Sequence, residues 1–371
     1  MRDVYIAGAF TTRFQRSPEV THQHLAKEAL EGALRDAGLD GGAIDGTWFG
    51  SCALHAFGQA NIRGQATLFP LVHAGQLNPT APIVNVEAGC ATGAVALHGA
   101  FAAIASGAAD VALAIGVEKL FMPQTPQKMI ELFEQGIDQL QPAGWRALYE
   151  KLAADAGTTF EPNPARITIL DIAALEARLA GTPKQRLAEV AAQNHQNGAK
   201  NPNALMQKPL TAEQVLSDKV VLEPFTRSMC SPIADGAAAV LLTSKKTAVQ
   251  LAAMGLANGA RWSPTEPPVA VHAAKRAQLN PREIELAELH DATAYAQVAT
   301  QAALSLGHAR VNESGGLIAR GHPLAATGLA QIAELTSRLK SGSARAALAH
   351  NAGGMIGLDE ATCAISVLRA V

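Results

Sequence analysis

Cys90 stands between two glycines in the run Asn85-Val-Glu-Ala-Gly-Cys-Ala-Thr-Gly-Ala94. Ahead of it Pro82-Ile-Val-Asn-Val86 reads as a short buried strand, and behind it roughly seventeen Ala-, Gly- and Leu-rich residues read as a helix. A thiol at a strand-to-helix turn meets free N–H groups and the positive end of the helix dipole. Both favour thiolate over thiol, so the position suits a nucleophile. The competing reading is a small, buried, apolar cysteine.

Three segments of the second half place a histidine where a strand ends or a helix begins. Leu286-Ala-Glu-Leu-His290-Asp-Ala-Thr293 runs from a strand through a turn into a helix. Asn312-Glu-Ser-Gly-Gly316 leads into Ala319-Arg-Gly-His322-Pro-Leu-Ala-Ala-Thr-Gly328, a second helix start. Ala346-Ala-Leu-Ala-His350-Asn-Ala-Gly-Gly-Met-Ile-Gly357 is a strand passing into a Gly-rich turn. One histidine alone is more often a surface or satisfied core residue. Three at successive element ends, opposite a cysteine at the matching place in the other half, point to one site, because sites in open α/β sheets gather where strands end.

The elements that must position these residues follow an α/β plan. Val4 to Ala7 and Asp45 to Ser51 read as strands, Thr21 to Ala37 has apolar residues at helical spacing, and Ala109 to Gly116 is a further buried strand. From residue 118 to 228 the composition shifts to Gln, Asn, Lys and Pro, which predicts an inserted, mostly helical lobe. Asp235-Gly-Ala-Ala-Ala-Val-Leu-Leu-Thr243 then returns to the sheet style. The plan repeats afterwards: Ala91-Thr-Gly93 matches Ala326-Thr-Gly328, and Ala112-Leu-Ala114 matches Ala347-Leu-Ala349, both at an offset of 235 residues. A duplicated domain explains this best. The expected division is 1–117 with 229–246 as the N-terminal half, 118–228 as the lobe, and 247–371 as the C-terminal half.

Composition narrows the function classes. The 371 residues suffice for two or three domains, and 48% hydrophobic content with 32 glycines but only 4% aromatics implies close packing of Ala- and Gly-rich helices. A net charge of -2 gives no electrostatic case for nucleic acid. The run from Gly93 to Val117 is broken by His98 and Asp110 and reads as core helix and strand rather than a membrane span. Met1-Arg-Asp-Val-Tyr-Ile lacks the regions of a signal peptide. Cys52, Cys90, Cys230 and Cys363 have neither CxxC pairing nor Cys/His ligand spacing, so neither a structural metal nor a disulfide framework is expected, and a reducing cytoplasm fits.

On these motifs the chain resembles the thiolases, and most of all the sterol-carrier-protein type of ketoacyl-CoA thiolase. The resemblance rests on the Cys90 segment, Gly116-Val-Glu-Lys119, Gln193-Asn-His-Gln-Asn-Gly198 with Asn201-Pro202, and Asp235-Gly-Ala-Ala-Ala239. It continues through His290-Asp291, Gly315-Gly316, Gly321-His-Pro323 with Ala326-Thr-Gly328, and His350-Asn351. These span nearly the whole chain in the family's order. The resemblance implies duplicated βαβαβαββ halves in a five-layered α-β-α-β-α core with the lobe inserted. It also implies an acyl-cysteine mechanism: Cys90 attacks an acyl-CoA carbonyl, His322 holds the sulfur proton, and the oxyanion meets N–H groups near Cys90 and Gly354 and an imidazole from His290 or His322.

The departures are as informative. Common thiolases carry Asn-Glu-Ala-Phe where this chain has His290-Asp-Ala-Thr293, and a cysteine acid/base where it has His350. The sterol-carrier type places that cysteine after its His-Asp pair, where this chain has Ala292. The second cysteine is thus missing from both places. His350 is the favoured replacement, since an imidazole serves as acid or base near neutrality. His55, Cys52 and Tyr295 are the alternatives, unless the reaction needs no such group. Cys230 and Cys363 read as core. Arg146, Arg166 and Lys208 of the lobe are candidate contacts for CoA phosphates against the reading of a solvated charged face.

The functional expectation is a CoA-dependent C-acyltransferase that cleaves or forms 3-oxoacyl-CoA, with CoA and its acyl thioesters as substrates and no permanently bound cofactor. A retro-aldol lyase on 3-hydroxyacyl-CoA and a non-catalytic CoA-binding subunit are the alternatives. The resemblance implies a homodimer or tetramer and allows a small partner protein built from a zinc ribbon and an OB-fold.

Overall fold

The computed structural model describes residues 2–259 and 261–371; Met1, where the N-terminal reading begins, and Ala260 lie outside them. The first half runs β1 (Tyr5–Thr11), α1 (His22–Ala37), β2 (Gly46–Gly50), α2 (Arg63–His73), β3 (Ile83–Val86), α3 (Thr92–Ser106) and β4 (Val111–Glu118). The lobe follows with α4 (Pro126–Glu134), α5 (Pro142–Asp155), α6 (Thr168–Leu179), α7 (Lys184–Gly198), α8 (Ala212–Leu216) and the short strands β5 (Val220–Leu222) and β6 (Phe225–Thr226). β7 (Gly236–Thr243) closes the first half. The second runs β8 (Val249–Asn258), α9 (Val269–Arg276), β9 (Leu286–Glu288), α10 (Ala294–Ala303), β10 (Arg310–Val311), α11 (Gly316–Arg320), α12 (Leu324–Lys340), β11 (Ala346–Gly353) and β12 (Thr362–Ala370).

Local chemistry sets the helix limits. Thr21 caps α1 by accepting the His24 N–H at 3.1 Å, and Gly38 ends it at φ 63°, a left-handed turn that glycine adopts without a Cβ clash. Strand limits follow the apolar runs: β4, β7 and β11 are buried almost throughout, which marks central strands covered on both faces.

The strands lie in the order β3-β2-β4-β7-β1, continued across a β1–β8 pairing by β8-β12-β11-β9-β10. Each half therefore builds the same order, with parallel pairing at its outer end and antiparallel pairing near the seam. α3 and α12 pack together between the two halves of the sheet system, with Leu97, Ile104, Leu329 and Leu335 in their core. α1 and α2 cover the outer face of the first half, and α9 that of the second. The expected βαβαβαββ halves and five α-β-α-β-α layers are present.

Two features bear on the site. Gly93 on α3 and Gly116 on β4 both face the Ala325 carbonyl of α12 with no room for a side chain, so only glycine lets these backbones meet. β3, expected to be buried, is instead an edge strand with Val84 exposed; it has β2 on one side and none of the described strands on the other. The segment Gly89–Ser106 is long and apolar enough to cross a membrane, yet most of it is α3, a helix of the central layer.

Candidate active site

The turn between β3 and α3 is held by Thr92, the first residue of the helix. Its Oγ1 donates to the Gly89 carbonyl at 2.7 Å and accepts the Ala88 N–H at 2.8 Å. Gly89 supplies the positive φ of 54° that turns the chain, and Gly353 at the end of β11 packs directly against the backbone of Ala88, Cys90 and Ala91. Cys90 is thus delivered from the first half to the strand ends of the second. Behind it, buried Glu118 accepts from Ser51 Oγ (2.9 Å) and from the N–H groups of Cys52 (3.0 Å), Ala53 (2.8 Å) and Ala325 (3.2 Å). One carboxylate so ties the loop after β2 to the start of α12.

His290 and His322 come to Cys90 from the other half. The sulfur and one nitrogen of each ring lie within 4.8 Å of one another, and the two rings meet edge to face with centroids 5.0 Å apart. The His322 Nδ1 is 2.8 Å from Thr327 Oγ1, one turn into α12, and its buried Nε2 has no hydrogen-bond partner among the described residues. Asn351 Nδ2 donates to His290 Nδ1 at 2.9 Å. An amide nitrogen can only donate, so the proton of neutral His290 sits on Nε2. The pair therefore offers one fixed donor. These three residues are also the single group of His, Cys and carboxylate donors among the described residues that converges closely enough for a metal ion, which would occupy the nucleophile itself.

Burial controls the protonation of all three. It pushes His322 down to about 3 and His290 well below the ordinary imidazole range, the latter with help from neighbouring His322 and His350. Cys90 is pushed up to about 12, by burial first and by the Glu118 carboxylate second, against the opposing N–H bonds of Cys90 itself and Gly354. The helix start that favours thiolate is opposed here by burial, because α3 begins two residues on and the sulfur lies in an enclosed place. The resting group is a neutral thiol between two neutral imidazoles.

A cavity of about 300 Å³ opens on this cluster. Beyond Cys90, His290, His322 and Gly354 its wall is largely apolar, with Ile167, Ile169 and Ile172 on the lobe side and Ala296, Ala299 and Ala303 along α10. Arg261, paired with Glu176 at 2.8 Å, and Glu360 form a polar patch in the same wall.

Of the residues expected at the site, Cys90, His290, His322 and Gly354 share this cavity, and His350 does not line it. His350 Nδ1 accepts the His290 N–H at 3.3 Å, and the side chain lies buried behind that strand end. His55 is also elsewhere, with Nδ1 against the Cys52 carbonyl at 2.9 Å, and the Cys52 thiol is engaged by Gly89 O and Thr92 Oγ1, both at 3.0 Å. Tyr295 does line the cavity. So does Cys230, expected as core, which does pack against the lobe core but with one side in the cavity wall; Cys363 is core, fully buried against α9. The neighbouring residues Ser231 and Pro232, poor material for a core strand, were the signal that could have found Cys230. Arg146 and Arg166 line a separate cleft of about 520 Å³ on the lobe, where Arg166 is paired with Asp171, and Lys208 is exposed.

The family description "Thiolase, N-terminal domain" matches residues 4–246, and "Thiolase, C-terminal domain" matches residues 239–361. An acetyl-CoA acetyltransferase of Methanothermobacter thermautotrophicus is 33% identical over 95% of this chain and 97% of its own. Sterol carrier protein 2 of Gallus gallus is 29% identical over 95% of this chain and 70% of its own. Among solved structures, the Bacillus anthracis acetyl-CoA acetyltransferase superposes with a TM-score of 0.76 at 16% identity, covering 100% of this chain and 99% of that one. Human mitochondrial 3-ketoacyl-CoA thiolase in complex with CoA gives 0.74 at 17%, covering 100% and 98%. An Ltp2-ChsH2(DUF35) aldolase gives 0.71 at 18%, covering 99% and 98%. The chain belongs to the thiolase family and is an acyltransferase of that family.

Proposed function

We propose that the protein is a CoA-dependent C-acyltransferase that cleaves or forms 3-oxoacyl-CoA through an acyl thioester on Cys90. The observation that carries this reading is the convergence of the Cys90 sulfur with one ring nitrogen each of His322 and His290 within 4.8 Å, where the His322 Nε2 is buried with no partner among the described residues and the His290 ring is fixed as a donor. With the His322 Nδ1–H donated to Thr327, Nε2 is left as the acceptor for the thiol proton. The sulfur attacks the carbonyl carbon as that proton leaves, so no thiolate has to accumulate. The oxyanion meets the His290 Nε2–H and the N–H groups of Cys90 and Gly354, donors set in place before substrate arrives. The apolar wall suits an acyl chain or the pantetheine arm.

A retro-aldol lyase would have no use for the Cys90–His322 pair, and its retention weighs against that reading. Intact-protein mass after mixing with acetyl-CoA and a panel of 3-oxoacyl-CoAs tests the proposal. An acyl adduct that disappears in Cys90→Ala supports it; no adduct with any donor overturns it.

A homo-oligomer completes the reading. The open edge of β3, with Val84 exposed beside Ile62 and Phe69 of the α2 region, is the surface another copy would cover. Light scattering that returns a monomer at micromolar concentration would contradict it. A small zinc-ribbon and OB-fold partner is proposed because the family resemblance allows one, the Ltp2-ChsH2(DUF35) aldolase being a fold neighbour with two named components, and a tagged pulldown yielding this chain alone would argue against one. The cytoplasm is the proposed location, where Cys90 and its neighbours stay reduced.

A further inference from the structure

Breaking or making a carbon-carbon bond next to a thioester requires a proton at the α-carbon, and the pair of Cys90 and His322 is already committed to the sulfur. A second proton donor must therefore face the same cavity. His350 and His55 do not line it, and the Cys52 thiol is bonded to the Gly89 carbonyl. Tyr295 is in the wall too, its hydroxyl pushed up to about 12 by burial first and by the Glu176 carboxylate second, but the bridges that tie the His290 turn to the His322 turn run through residues 230–233 and not through Tyr295.

Cys230 is placed differently. It pairs across an antiparallel bridge with Thr293, and the next residue, Ser231, donates its N–H to the Ala292 carbonyl at 2.9 Å. Pro232 then accepts the His322 N–H at 3.1 Å, and Ile233 bridges His322. The segment from Cys230 to Ile233 thus laces the turn after His290 to the turn that carries His322, and sets Cys230 in the cavity wall beside both. Its thiol is half-buried, packs against the lobe core, and donates a long hydrogen bond of 3.7 Å to the Thr226 carbonyl, one it can exchange for a bond to an occupant. The buried Nε2 of His322, in the same cavity and without a partner among the described residues, is an independent sign that an occupant completes the site.

We propose that Cys230 is the second acid/base of the reaction, moving the proton at the α-carbon. The assignment rests on the acyl-Cys90 reading above. In the cleavage direction the Cys90 proton passes to His322 and the sulfur bonds to C3 of the 3-oxoacyl-CoA. The C2–C3 bond breaks with its electron pair on C2, and C2 takes the Cys230 proton to give acetyl-CoA. The Cys230 thiolate then takes the thiol proton of an incoming CoA, whose sulfur displaces Cys90 from the acyl group, and Cys90 recovers its proton from His322. Atoms and protons balance with CoA as the only co-reactant. Burial, which pushes the Cys230 thiol up to about 12, keeps it protonated until a carbanion forms.

The test separates the two cysteines. Acyl-Cys90 formation from acetyl-CoA is read by intact mass, and α-proton exchange of acetyl-CoA in D2O by NMR, for the unaltered protein, Cys230→Ala, Cys230→Ser and Tyr295→Phe. Cys230→Ala and Cys230→Ser are expected to keep adduct formation within about threefold while exchange and 3-oxoacyl cleavage fall by roughly 100-fold or more. Tyr295→Phe is read for exchange alone, as a competing ionisable side chain in the wall. Exchange undiminished in Cys230→Ser, with the adduct intact, overturns the assignment alone, as does exchange lost in Tyr295→Phe but not in Cys230→Ser. Neither adduct nor exchange in the unaltered protein overturns the acyl-Cys90 reading and this assignment with it.

Discussion

Thr92 and Thr327 occupy matching places in the two halves, each within Ala-Thr-Gly near the start of a central-layer helix. Thr92 Oγ1 bonds the Ala88 N–H and the Gly89 carbonyl, with the Cys52 thiol 3.0 Å away, and so shapes the turn that presents Cys90. Thr327 Oγ1 spends its bond on a side chain, His322 Nδ1, and so orients the ring that serves the sulfur. One duplicated position has become a backbone clamp in the first half and an imidazole holder in the second. The nucleophile and its base are accordingly not equivalent residues: the repeat supplies two helix starts, and each has been fitted to a different task.

That contrast can be broken in stages. Replacing the nucleophile removes everything downstream of it: Cys90→Ala is expected to lose the acyl adduct and at least about 10⁴-fold of turnover, read by intact mass and a coupled thiolysis assay. His322→Gln keeps the shape and most of the polarity but not the proton acceptor, and turnover should fall by about 10²- to 10⁴-fold with the protein still folded. The threonine pair is the sharper instrument. Thr327→Val should slow acylation about tenfold with little change in melting temperature. Thr92→Val should instead lower stability by about 1 kcal/mol in a denaturant titration, because it leaves the part-buried Ala88 N–H without its acceptor. Rate loss in Thr92→Val without destabilisation would dissolve the distinction.

The smallest expected effect is one of pH. His322 held at about 3 remains the neutral acceptor down to mildly acidic conditions, so the acylation rate should change less than about twofold between pH 6.5 and 5. An imidazole at its ordinary value would lose roughly tenfold or more over that range. The same depressed value links to stability with a definite sign: this contribution is complete above about pH 6.5, where the unfolded imidazole is neutral, and is lost as pH falls toward about 3.

The layered fold was legible because its strands are continuous apolar runs and its helix starts repeat. Cys90, His290 and His322 were legible because they sit at element ends. His350 was misplaced for a reason of strand geometry. Adjacent residues on a strand face opposite ways, and Asn351 faces the central layer while Leu348 and Ala352, flanking His350 at alternate positions, join the outer core with α9. Two polar neighbours in sequence could not say which of them turned inward. Cys230 was missed because the 230–233 segment belongs to no long strand, and its place depends on bridges to Thr293 and His322, more than sixty residues away.

The glycines at 93 and 116, which admit the Ala325 carbonyl, act as a fixed gauge between the two helix starts. Any larger residue would push α12 from α3 and with it His322 from Cys90. The spacing of the reacting groups is thus settled when the chain folds and needs no closing motion at each turnover. Heat should then silence the enzyme only as the whole central layer melts, and adaptation to new acyl groups is left to the lobe and α10, where side chains can change without moving the gauge.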